Sequence, residues 1–193
     1  MSVEIIDGSG KGYRASVDSD LRLSTTAVTE SQFDNATLGG DSFNINTEFL
    51  TITNATETPL LYLKNNEDTD LVVEAWFVGT DASAGSATRL SLLKVYPNPT
   101  GGTIISGGAD VTAVNRSIGS TETLDAVIKS GGDAFTLTTS TTPVLYQTQG
   151  SSARAFGTVH LSIKKGSSIA VTIQNYGLTS LDVYTGFQVY KSK

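Results

Sequence analysis

The 193-residue chain reads as an all-β protein: an antiparallel β-sandwich, jelly-roll-like, with an extended N-terminal arm. Three observations predict this. Ser and Thr together make up about a quarter of the residues; Thr favours strands, and Ser serves turns and caps. Long helical runs of Ala, Leu, Glu and Lys are absent. From Phe43 onward, short apolar segments alternate with clusters of Gly, Asn, Asp and Pro, the pattern of serial strands and turns.

Residues 1–45 are too polar to build a core alone. Flexible turns at Asp7-Gly8-Ser9-Gly10-Lys11-Gly12 and Gly39-Gly40 punctuate them. Two readings stay open: a loosely packed start of the domain, or an extended arm ordered on a neighbouring subunit. Tyr13, Arg14, Leu21 and Leu23 are the interface candidates of such an arm, with Val17, Val28 and Phe33 as further anchors.

Residues 46–193 are assigned to the sandwich. A strand is expected over 44–53, with Ile45, Phe49 and Ile52 as apolar points. Segments 60–65 and 71–78 flank the polar turn Asn66-Glu67-Asp68-Thr69-Asp70, which has hairpin length. In 71–78 the alternation puts Leu71, Val73, Ala75 and Phe77 on one face and Val72, Trp76 and Val78 on the other, so the strand is expected to be central. Further strands are expected at 89–96, 123–128 and 135–139. Residues 157–164 show clean period-2 alternation, with Val159, Leu161 and Ile163 on one side and His160 on the other. Ile169, Val171 and Ile173 repeat the pattern, and 181–190 closes the domain with Val183, Phe187 and Val189 inward.

The formal net charge is −6, and no basic run exceeds Lys164-Lys165, which argues against nucleic-acid binding. There are no cysteines, which removes disulfides, thiolate metal sites and Cys nucleophiles. No apolar run approaches the length of a membrane span, and the first residues lack a signal-peptide pattern, so a cytoplasmic origin is expected.

The motifs carry no catalytic or metal chemistry. Asp18-Ser19-Asp20 and Glu67-Asp68-Thr69-Asp70 lack the spacing of a calcium loop and read as solvated turns. His160 is the only histidine, too few for a zinc site and without a neighbouring nucleophile. Glycine-serine segments fail the nucleophile-elbow and phosphate-loop patterns. Glu48, Glu57, Glu67, Glu74 and Glu122 are scattered; Glu74, interrupting an apolar strand beside Trp76, reads as an outward charge that discourages wrong pairing. No enzyme, cofactor or metal is expected.

Residues 97–128 hold two Gly-Gly pairs, Gly101-Gly102 and Gly107-Gly108, around Thr103-Ile104-Ile105-Ser106. Such glycines supply the positive φ of tight turns. The segment reads as a projecting hairpin or long loop used for contact with another subunit or a partner surface, with Ile104, Ile105, Val111 and Val114 as its buried or interface points.

The segments DGSGKGYRASVDSDLRL, GGDSFNINTEFLTIT, LLYLKNNEDTDLVVEAWFVG and NPTGGTIISGGADVTAVNRSIGSTETLDA, in this order, resemble small structural proteins of tailed bacteriophages. The resemblance implies a capsid decoration or cement protein: a homotrimer bound to the major capsid protein on the virion surface. A trimer of sandwiches has reason to hide an apolar outer face such as Val72, Trp76 and Val78. A receptor- or glycan-binding module of a fibre or tail is the alternative.

Overall fold

The computed structural model describes residues 16–17, 23–24, 31–52, 56–81, 91–98, 105–131, 134–135, 142–149, 152–176 and 180–192. The chain divides into two units, Met1–Ser31 and Gln32–Lys193. In the first, β1 (Ser16–Val17) pairs antiparallel with β2 (Leu23–Ser24). Tyr13, Arg14, Leu21, Asp18 and Asp20 lie outside the described residues, and Leu23 is placed in β2.

The second unit opens with α1 (Gln32–Leu38) and β3 (Ser42–Asn46). Residues 32–45, read from the sequence with the arm, therefore sit in this unit. The alternation in β3 turns Phe43 and Ile45 into the core, where they are almost completely buried. Then follow β4 (Leu50–Ile52), β5 (Glu57–Asn65), β6 (Leu71–Asp81), β7 (Ser91–Asn98), β8 (Ile105–Ser106), β9 (Ala109–Asp110), β10 (Val114–Asn115), β11 (Ala126–Ser130), β12 (Ala134–Phe135), β13 (Leu145–Gln149), β14 (Ser152–Ile163), β15 (Ser168–Gln174) and β16 (Leu181–Lys191).

Two antiparallel sheets pack in two layers, as the composition and alternation predict. The first has the order β10-β3-β16-β6-β14, with β4 also on β16; the second has the order β13-β7-β15-β5-β11-β9. With β4 and β8 to β12 set aside, the other eight strands of this unit, numbered along the chain, lie 1-8-3-6 in one sheet and 2-7-4-5 in the other. Between the layers, Phe43, Ile45, Leu61, Leu63, Val183 and Phe187 belong to one apolar core.

Strands β5 and β6 do not form the hairpin that their polar turn suggested. β5 pairs with β11 and β15, and β6 with β14 and β16, so the turn crosses from one layer to the other. Asn65 fixes this crossing. Its buried Nδ2 donates to the carbonyls of Thr69 and Ile163, both at 2.9 Å, and its Oδ1 accepts from the Glu67 N–H.

The face assignment within β6 also changes, at Glu74. Against β16 the register slips there by one residue. Leu71 and Val73 point inward, and so do Trp76 and Val78, while Phe77 is partly exposed. A bulge inverts the phase of a strand, which simple alternation cannot foresee.

The glycine-rich segment joins an insertion between β7 and β13 that closes one flank of the sandwich. β9 and β11 extend the second sheet beyond β5, and β10 extends the first beyond β3. Gly107 and Gly108 turn the chain between β8 and β9 with φ of 72° and 86°, as their spacing predicted. β8 pairs with β12, and Ile105 packs on Tyr62 and Ala170.

A polar knot lies on the second sheet. Glu57 accepts hydrogen bonds from Lys94 Nζ at 2.9 Å and from the buried Thr172 hydroxyl at 2.5 Å. Burial opposes its ionisation, but the bonds from Thr172, Lys94 and Tyr96 outweigh it and hold the carboxyl below its ordinary 4.5. A depressed carboxyl pKa stabilises the fold above the unfolded-state value and loses that contribution as pH falls through the folded value. Glu57→Gln is therefore expected to lower the melting temperature at pH 7, and the gap to wild type should narrow below pH 4.5 as Glu57 protonates. Thermal melts across pH 3–7 check this.

Candidate binding face

The outward face of the first sheet carries an aromatic row built by strand register. Phe77 of β6 stands opposite Gly186 of β16, and Tyr184 of β16 opposite Gly79 of β6. A Cβ at Gly79 would overlap the Tyr184 ring, and one at Gly186 would overlap the Phe77 ring. Each glycine thus lets the facing ring lie down across the neighbouring strand. The two rings meet at 6.3 Å between centroids, tilted by 51°. Such pairs contribute about 0.5–1.5 kcal/mol beyond their area burial.

Two further rings extend the row. On β14, Phe156 is opposite Phe77 and 67% exposed. On the other side Phe49, 63% exposed, meets Tyr184 edge-on at 4.9 Å. Phe49 was expected to be an apolar point of one strand over 44–53. Instead β3 and β4 both pair with β16 and leave residues 47–49 between them. The Thr47 N–H donates to the Thr185 carbonyl, and the Thr47 hydroxyl accepts from the Thr185 N–H, each at 2.9 Å. This clamp holds the turn that presents Phe49.

Glu48, Phe49, Phe77, Tyr184 and Arg154 line an open hollow of about 420 Å³. Arg154 forms no ion pair among the described residues. The hollow combines apolar ring surface with one cation and one carboxylate, which suits a partner carrying both apolar and polar groups.

Further along the same face, Glu74 Oε2 lies 3.0 Å from His160 Nδ1. His160 has a φ of 45°, the left-handed region, and sits where β14 slips register against β6. Tyr190 is buried beneath Phe33 of α1, with ring centroids 5.9 Å apart. Burial, and then the Glu74 charge, hold its phenol above the ordinary value.

The sequence-chosen interface residues do not gather on this face. Trp76 is not on an outward surface: it is 2% exposed inside the sandwich, and its Nε1 donates to Thr185 Oγ1 at 2.7 Å. The bulge at Glu74 turns it there. Ile105, 1% exposed, is likewise covered within the chain and has no surface to offer a partner. Val111 packs partly against the core, and Val114 is exposed. Ile104 lies outside the described residues. The Glu67–Asp70 carboxylates meet lysines: Glu67 with Lys191 at 2.9 Å, Asp68 with Lys165 at 2.5 Å, and Asp70 with Lys164. No cluster of metal-ligating residues occurs among the described residues.

What the sequence reading missed is Phe49, Phe77, Arg154, Phe156 and Tyr184. A signal was present: Phe77-Val78-Gly79 and Tyr184-Thr185-Gly186 share an aromatic-x-Gly pattern, and antiparallel pairing sets each ring against the other strand's glycine. Comparison with family models, curated proteins and solved structures returns no match.

Proposed function

We propose that the protein is a non-enzymatic virion structural protein that docks on the capsid exterior through the aromatic face of its first sheet. The observation that carries this reading is the outward row Phe49, Tyr184, Phe77 and Phe156, two of whose rings are more than 60% exposed. Large aromatics on a solvent face are depleted unless they meet a partner, and aromatic anchors dominate protein interfaces. The strand order 1-8-3-6 and 2-7-4-5 supports a jelly roll, an architecture used by capsid and lectin domains. Three of the five glutamates singled out from the sequence are engaged in the fold, Glu57 with Lys94, Glu67 with Lys191 and Glu74 with His160, which favours binding over acid–base work. A net charge of −6 suits a basic patch on the capsid.

A second reading, glycan binding, is favoured by the hollow, where rings can stack on a sugar and Arg154 and Glu48 can bond its polar groups. One experiment separates the two. The double variant Phe49→Ala/Phe156→Ala changes exposed rings and should keep its fold. Its attachment to capsids stripped of the protein is expected to weaken at least tenfold, by about 1.4 kcal/mol or more. Undiminished attachment would overturn the docking face. Loss of glycan-array binding with attachment intact would install the second reading.

A further inference from the structure

We propose that two copies of this chain join edge to edge through the first half of β14, about a two-fold axis at Ala155. The two flanks of the sandwich are unequal. On the β3/β5 flank, the outermost strands β9 and β10 have only two residues each. On the other flank, β14 is twelve residues long and pairs only with β6 among the described residues, and β13 runs beside it at the edge of the second sheet. A long edge strand whose outer backbone groups have no strand partner among the described residues is a template for another strand.

The usable part of this edge is set by the bulge. Residues 152–158 pair without interruption with 75–81, and the register slips only beyond Thr158. His160, at φ 45°, bends the strand there. This leaves a straight edge of seven residues, Ser152-Ala-Arg-Ala-Phe-Gly-Thr158. Antiparallel pairing of this edge with itself must keep outward residues opposite outward residues, because a one-residue slip inverts the faces.

Three registers satisfy that rule and pair at least five of these seven residues. Centring on Arg154 opposes two like charges, which destabilises. Centring on Phe156 leaves only the short stretch before the bulge. Centring on Ala155 uses all seven residues and sets Arg154 opposite Phe156 of the second copy, twice over. Arg154 has no ion-pair partner among the described residues, and Phe156 is 67% exposed. A guanidinium over an aromatic ring is a favourable cation–π contact, and a two-fold interface doubles it. Ala155 and Gly157 add no bulk. The same pairing would join the two aromatic rows into one stripe. It does not rest on capsid docking, since dimerisation in solution can be read without capsids, and a two-fold pair takes the place of the homotrimer that the sequence resemblance implies.

The chain has no cysteine, so a single engineered one reports the register cleanly. Under mild oxidation, full-length Ala155→Cys is expected to cross-link to a covalent dimer. Thr158→Cys should not, because the two 158 positions would lie about 20 Å apart along the strands, far beyond disulfide reach. Sedimentation should give a mass of two protomers for the wild type, and Arg154→Glu should weaken that association about tenfold or more while its circular dichroism spectrum stays that of the wild type. A monomeric mass at about 100 µM, a three-protomer mass without the 155 cross-link, or equal cross-linking at 155 and 158 would each overturn the proposal.

Discussion

Trp76→Ala is expected to lower the melting temperature by about 6–20 °C, from a loss of about 3–5 kcal/mol spread over a unit of this size. The indole fills the space between the layers at 2% exposure, in one cluster with Val78, Val183 and Phe187. Its Nε1–H is matched by Thr185 Oγ1 at 2.7 Å, and that hydroxyl in turn donates to the Phe77 carbonyl at 2.8 Å. Removing the ring opens a cavity that rigid strands close only in part. Trp76→Phe keeps most of the apolar volume but strips the hydrogen bond, so a smaller loss of about 1 kcal/mol from the bond, plus a residual void, is expected. Chemical denaturation of both variants measures this. If Trp76→Ala left the stability unchanged while abolishing attachment to capsids, the residue would be an interface anchor and its place in the core would be refuted.

Trp76 also marks where the sequence stopped being legible. Strand content, the inward faces of β15 and β16 and the brevity of helix followed from alternation alone, because those strands keep phase from end to end: Ile169, Val171, Ile173, Val183, Phe187 and Val189 are all buried. In β6 a single extra residue at Glu74 moved Trp76 and Val78 from the supposed outer face to the inner one. Nothing local to Glu74 encodes that slip; it depends on how two neighbouring strands meet β6. The crossing at 66–70 was hidden for a similar reason, since its direction is fixed by Asn65 reaching Ile163, 98 positions away. The aromatic face was readable only in pairs. Phe77 and Gly79 mean little until Tyr184 and Gly186 are laid beside them in register.

Those two glycines allow the face and the fold to be separated experimentally. Gly186→Ala places a methyl against the Ile45 carbonyl oxygen as well as the Phe77 ring. A backbone oxygen of a paired strand cannot swing aside, so β3 and β16 must part, and a cost of about 1–3 kcal/mol is expected. The nearest atoms that a Gly79→Ala methyl meets are at the outer end of the Tyr184 ring. That ring is half-buried and can rotate outward, while alanine recovers part of the entropy that glycine forfeits in a strand, roughly 0.5–1 kcal/mol. Its stability should therefore stay close to wild type. Yet Tyr184 no longer lies across β6, its contact with Phe49 is lost, and the hollow between Phe49 and Phe77 is blocked. Gly79→Ala is thus expected to impair attachment about as much as deleting the exposed rings, with an unchanged melting temperature, whereas Gly186→Ala should lower the melting temperature first. Equal melting temperatures for the two variants would show that β3 and β16 yield more easily than their register implies. Full attachment by Gly79→Ala would detach Tyr184 from the proposed docking face and leave the exposed rings of Phe49 and Phe156 to carry it.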